Sequence, residues 1–109
     1  MDLRGEAIVN DKQVTEALAS KILGWKICRD RFITSGRSWV SRWRFKPMTH
    51  LDDAFRLLDG AGANYRLTAT AGGKFTAEVR VGVGRGTASG AEKAETITVA
   101  LARAVGLEI

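Results

Sequence analysis

Two stretches of this chain carry residue types that could hold a ligand. The first is Trp39-Val40-Ser41-Arg42-Trp43-Arg44-Phe45. Indole faces stack on nucleobases and arginines grip phosphate oxygens, so Trp39, Trp43, Arg42 and Arg44 together fit a ligand carrying both a ring and a phosphate. If the run is extended, Trp39, Ser41, Trp43 and Phe45 share one face, and Val40, Arg42, Arg44 and Lys46 share the other. Aromatic residues alternating on a strand also serve as core, and that reading stays open beside the stacking one. The second stretch is the glycine-rich run from Gly82 to Gly90, expected to be a loop between a strand and a helix N-terminus. Free backbone N–H groups and the helix dipole favour a phosphate there, with Gly84, Arg85, Gly86 and Thr87 as the candidate residues. The spacing departs from a phosphate-loop motif, because Gly86 stands where a lysine would precede Thr87. A plain connection is the competing reading.

Nothing else reaches the same level. His50 is the single histidine and has no visible acid or base partner, which suits a surface or capping role at a helix start. Cys28 is the single cysteine, so neither an intramolecular disulfide nor a cysteine-built zinc site can form; a half-buried, inert thiol is expected. Asp52 and Asp53 complement a helix dipole, and no spacing typical of metal ligands is present. The expectation is a protein that is not an enzyme and needs no cofactor.

The formal net charge is +5, and it is concentrated. Residues 26 to 46 hold Lys26, Arg29, Arg31, Arg37, Arg42, Arg44 and Lys46 against Asp30 alone, a local charge of +6, while the remainder is close to neutral at −1. Such a footprint draws phosphate-bearing partners, although a solvated, solubilising surface would look the same. At 109 residues, 45% of them hydrophobic and 27% charged, the chain is long enough for one domain with a core of its own. No apolar run approaches the ~20 residues that span a bilayer, and the N-terminus lacks the blocks of a secretory signal, so a cytoplasmic protein is expected.

The elements that must position these residues follow from periodicity. Residues 1 to 10 have no clear period and are expected to form an arm, with a single domain over residues 11 to 109. A first helix is expected from an Asp11 cap to Leu23, stopped by Gly24, with Trp25 folded back on its end. Two strands should follow: an irregular one around Trp25 to Ile33, then Ser38 to Phe45, joined at Ser35-Gly36-Arg37 and ended by Pro47. Thr49 is the expected cap of a second helix over His50 to Asp59, stopped at Gly60-Ala61-Gly62. A hairpin over residues 64 to 83 places Tyr65, Leu67 and Ala69 with Phe75, Ala77, Val79, Val81 and Val83 on its core side. Arg66, Thr68, Thr70, Thr76, Glu78 and Arg80 fall on the other side. Ser89-Gly90-Ala91-Glu92 has capping-box spacing before an alanine-rich helix reaching Val105. The predicted fold is α+β, a small, mainly antiparallel sheet covered by helices, in the order α-β-β-α-β-β-α.

Leu23-Gly24-Trp25 after an early helix, a Trp-containing insertion, Pro47 with its helix to Asp59, a hairpin, and the closing helix from Glu92 to Ala104 resemble the phage ABA-sandwich domain proteins. The likeness covers about residues 14 to 106. Several relatives carry Trp on the return strand of the hairpin, where this chain has Phe75. The resemblance implies a phage origin, a layered α/β/α fold and action on host machinery or defence inside the host cell; it transfers no catalytic residue. Together, the sequence points to a non-enzymatic binding protein that captures a small phosphate-bearing ligand, such as a nucleotide immune signal, in phage counter-defence. A homo-oligomer is expected, because pockets of this size are often completed by a second subunit. The alternatives are a protein-interaction inhibitor of a host defence complex, of the anti-CRISPR kind and anchored by Trp39 and Arg42, and a nucleic-acid-binding accessory protein.

Overall fold

The structure is a computed structural model that describes residues 11 to 107; the expected N-terminal arm, residues 1 to 10, lies outside the described residues. Helix α1, Asp11–Leu23, comes first, with Asp11 already helical. Gly24 adopts φ +70° and the Trp25 N–H donates to the Ala19 carbonyl at 3.1 Å, so the chain leaves the helix through the left-handed step that glycine tolerates best. Trp25 does fold back into the core, its ring 4.9 Å from that of Phe45 and 5.8 Å from that of Phe32.

The irregular segment after Trp25 resolves into two strands. Strand β1, Lys26–Ile27, pairs antiparallel with β2, Arg31–Ser35, across a tight turn in which the Cys28 N–H donates to the Arg31 carbonyl at 2.9 Å. Strand β2 then pairs with β3, Ser38–Ser41, across Gly36. The second strand was expected to run to Phe45, but it ends at Ser41, and Arg42–Arg44 form a single 3-10 turn. That turn breaks the alternation: Phe45 is buried, whereas Trp43 is 67% exposed.

Helix α2, Leu51–Ala61, is capped by His50 rather than Thr49, and without a side-chain hydrogen bond. The Thr49 hydroxyl turns back to the Lys46 carbonyl, and the Asp53 carboxylate accepts the Lys46 backbone N–H at 2.9 Å, bracing the helix start. Gly60 sits within the helix and Gly62, at φ +63°, ends it.

Strands β4, Asn64–Thr70, β5, Lys74–Val81, and β6, Gly84–Gly90, form a second three-stranded antiparallel sheet. The register of the expected hairpin holds, with Tyr65 opposite Val79, Leu67 opposite Ala77 and Ala69 opposite Phe75. Val83, assigned to the core side, is fully exposed in the β5–β6 turn. Helix α3, Lys93–Ala104, starts directly after the expected capping box, with Glu92 rather than Ser89 as its cap. Ser89 does not cap it, because its hydroxyl is bonded across the sheet to that of Thr76 at 3.0 Å.

One hydrophobic core joins all of this. Helix α3 lies on β5 and β6, α2 lies against α3, α1 against α2, and β1 against α1. Leu18, Leu57, Leu58, Ile97, Leu101 and Val79 are among its fully buried members, with Phe32 and Phe45. The buried Thr98 hydroxyl donates to the Pro47 carbonyl at 2.8 Å, tying α3 to the segment before α2. The α+β class and its antiparallel pairing are as the sequence predicts, with two strands more, β1 and β6. The helices pack on one face of the β4–β6 sheet, and its other face is open to solvent.

Candidate anion-binding face

The run Gly84-Arg85-Gly86-Thr87 is strand, which corrects the expectation of a glycine loop at a helix N-terminus. Its pattern is a strict alternation of small and polar residues. Gly84, Gly86, Ala88 and Gly90 turn toward α3, and Arg85, Thr87 and Ser89 turn away. A Cβ on Gly86 would run into the Ala100 carbonyl oxygen and the Ala104 nitrogen, and one on Gly84 would meet the Ala104 carbonyl oxygen. The glycines exist to let helix backbone lie directly on strand backbone, and they cradle no phosphate. The Arg103 guanidinium reinforces the contact by donating to the Thr87 carbonyl at 2.7 Å.

The polar half of the same alternation builds the open face. Register sets Asn64, Arg80 and Arg85 in one row across the three strands, Arg66, Glu78 and Thr87 in the next, and Thr68, Thr76 and Ser89 in the third. The first two rows, Asn64, Arg80, Arg85, Arg66, Glu78 and Thr87, border a shallow concavity of about 480 Å³. Arg66 has Glu78 as a loose partner at 3.9 Å. Arg80 and Arg85 stand directly opposite each other, and among the described residues neither has a carboxylate partner. Like charges placed opposite on neighbouring strands are unfavourable. Tyr65, half exposed, is also among the residues lining the concavity, and its ring lies 5.9 Å from that of Phe55 on α2.

The Trp and Arg stretch lies elsewhere, and its arginines are occupied. Arg42 forms an ion pair with Glu16, donates to the Cys28 carbonyl at 2.7 Å, and lies 5.3 Å over the Phe32 ring. It fastens the β2–β3 hairpin to α1 instead of presenting charge to solvent. Arg44 lies 5.8 Å over Trp43, and Arg31 lies 4.5 Å over Trp39, which is 52% exposed. Trp43 and Arg42 border a second cleft, of about 410 Å³, floored by Phe32, Phe45 and Met48. The two sets of candidate residues are therefore not brought together: Arg85 and Thr87 line one concavity, Arg42 and Trp43 line another, and the two share no lining residue.

Arg31 also forms two hydrogen bonds to the Asp30 carboxylate, both at 3.1 Å. That partnership holds the Asp30 carboxyl below its ordinary range and raises Arg31 further. His50 is exposed with Nδ1 3.5 Å from the Asp53 carboxylate, and Cys28 is half-buried. Arg66 and Arg80 carry the open face and were not among the sequence candidates, although the hairpin alternation had placed both away from the core.

No family model matches the chain, and no curated protein does either. Among solved structures the chain is similar to the crystal structure of a phage protein from Bacillus cereus ATCC 14579. That likeness covers 93% of this chain and 92% of the other, with a TM-score of 0.72 and 22% sequence identity, and it is a likeness of fold.

Proposed function

We propose that this chain is a phage-encoded, non-enzymatic binding protein that captures a small phosphate-bearing ligand on the open face of its β4–β6 sheet. The observation that carries the reading is the Arg80 and Arg85 pair, opposite each other and without carboxylate partners among the described residues, in a concavity of about 480 Å³. That volume is within the ordinary range for small-molecule sites. Asn64 and Thr87 supply neutral hydrogen-bonding groups around the charges, which suits phosphate and sugar oxygens. The phage assignment draws on the resemblance to the phage ABA-sandwich proteins and on the fold shared with the Bacillus cereus phage protein. A nucleotide immune signal of the host is the ligand class that joins a phosphate-reading face to a phage accessory role, and sequestering it would be counter-defence. The face is open along one side, so a second copy closing over it would complete the enclosure.

Native mass spectrometry of the protein purified from phage-infected bacteria tests this. The expected result is a nucleotide-sized mass released on denaturation from the wild-type protein and missing from the Arg80→Gln/Arg85→Gln variant, with the subunit count read in the same spectrum. A protein that emerges free of small molecules from cells with active defences, or a variant that retains the same mass, overturns the proposal.

A further inference from the structure

The β1–β3 sheet has an outer face that the anion site does not use. Register places Lys26, Ile33 and Trp39 in one row across its three strands and Arg31 opposite Ser41 in the next, while Ile27, Phe32 and Val40 form the row between them, turned to the core. Trp39 is half exposed there, and it is pre-oriented: the Arg31 guanidinium lies over its ring at 4.5 Å and is itself fixed by the Asp30 carboxylate through two hydrogen bonds. Asp30 is the one acidic residue between residues 26 and 46, and Arg31 engages it. Lys26, Arg29 and Arg37 remain exposed around the sheet with no carboxylate partner among the described residues.

We infer that this face binds single-stranded nucleic acid, with a base stacked against Trp39 and the flanking phosphates held by Lys26, Arg29 and Arg37. Single strands are bound by an aromatic platform set in a cationic surface, because every base offers a π-face and every nucleotide a phosphate. Duplex offers no unstacked base to Trp39, so it binds more weakly at equal charge. An acidic protein surface would answer the same cations but would leave the open indole without a flat partner, which favours the nucleic acid. This surface is distinct from the Arg80 and Arg85 site, and neither proposal depends on the other.

Fluorescence anisotropy of a labelled oligothymidylate, titrated with the full chain at low and at physiological salt, tests the inference. Binding is expected at low salt and should weaken steeply as salt rises. Trp39→Ala should lower affinity about five-fold or more, the loss of one stacked base, whereas Trp39→Phe should restore most of it. At physiological salt, Arg80→Gln/Arg85→Gln should lower the affinity less than Trp39→Ala does. Circular dichroism of each variant confirms that the fold is kept, and Arg29→Ala/Arg37→Ala, which removes exposed charge only and should weaken binding, carries the test if Trp39→Ala does not fold. The inference is overturned if the oligonucleotide does not bind, if Trp39→Ala and Arg29→Ala/Arg37→Ala both bind as the wild type does, or if polyglutamate competes as well as the oligonucleotide.

Discussion

Arginine is densest around residues 26 to 46, yet the cations best placed for a small anion are on the β4–β6 sheet, where charge is sparser. At the centre of the stretch the difference is one of partnership, while Lys26, Arg29 and Arg37 keep no carboxylate partner among the described residues. Arg42, at the centre of the basic stretch, is committed to Glu16, the Cys28 carbonyl and the Phe32 ring, and Arg31 is committed to Asp30. Arg80 and Arg85 stand opposite each other on neighbouring strands, with no carboxylate partner among the described residues. Counting charge along a sequence measures supply, and the fold decides what is left over for a ligand.

That contrast can be broken from either side. The largest effect is expected at the glycine that makes the open face possible: Gly86→Ala drives a methyl into helix backbone and should destabilise the fold by about 3 kcal/mol, read as a lower midpoint in urea unfolding. A midpoint unchanged by Gly86→Ala would mean that α3 does not rest on β6 as described. Next comes Arg42→Ala, which strands the Glu16 carboxylate and an accepting carbonyl. It should cost about 1.5–3 kcal/mol of stability and leave binding of a phosphate ligand by the folded protein intact. If Arg42→Ala were stable but unable to bind, the roles assigned to the two regions would be exchanged.

Arg80→Gln sharpens the comparison from the other side. Removing one of two opposed cations should raise stability slightly, by about 0.2–1 kcal/mol, while weakening capture of a phosphate ligand. Thermal unfolding of Arg80→Gln beside wild type checks the sign, and a clear destabilisation would mean that Arg80 has a structural partner. The smallest effect concerns the Asp30 and Arg31 pair. Its carboxyl is depressed in the folded chain, so the pair's contribution is present above the ordinary Asp range and is lost as pH falls through the lower folded value. Tryptophan fluorescence should therefore change on acidification only below the usual Asp range, and Asp30→Asn should abolish that step.

Much of this was legible from residue order. The stop at Gly24, the burial of Trp25, the register of β4 against β5 and the alanine-rich closing helix follow from glycine conformation and period-two or helical spacing. Strand β6 was not read as a strand because Gly84, Gly86 and Gly90 are poor strand formers taken singly. Their spacing of two was the missed signal: small residues alternating with Arg85, Thr87 and Ser89 describe a strand lying under a helix. The end of β3 at Ser41 was not readable, because the 3-10 turn that buries Phe45 and exposes Trp43 goes with a contact from Arg42 to Glu16 on another element. The same long-range contact removed Arg42 from the candidate site, and no local pattern announces an ion pair between residues so far apart in sequence.

The most direct test of where the chain offers charge is a residue-resolved NMR titration with inorganic pyrophosphate, following backbone amides and arginine side-chain N–H groups together. The account predicts saturable shifts centred on Arg80, Arg85 and Thr87, with the Arg42 side chain unmoved. Shifts centred on Arg42 and Arg44, or no saturable shift on the β4–β6 sheet, would contradict it.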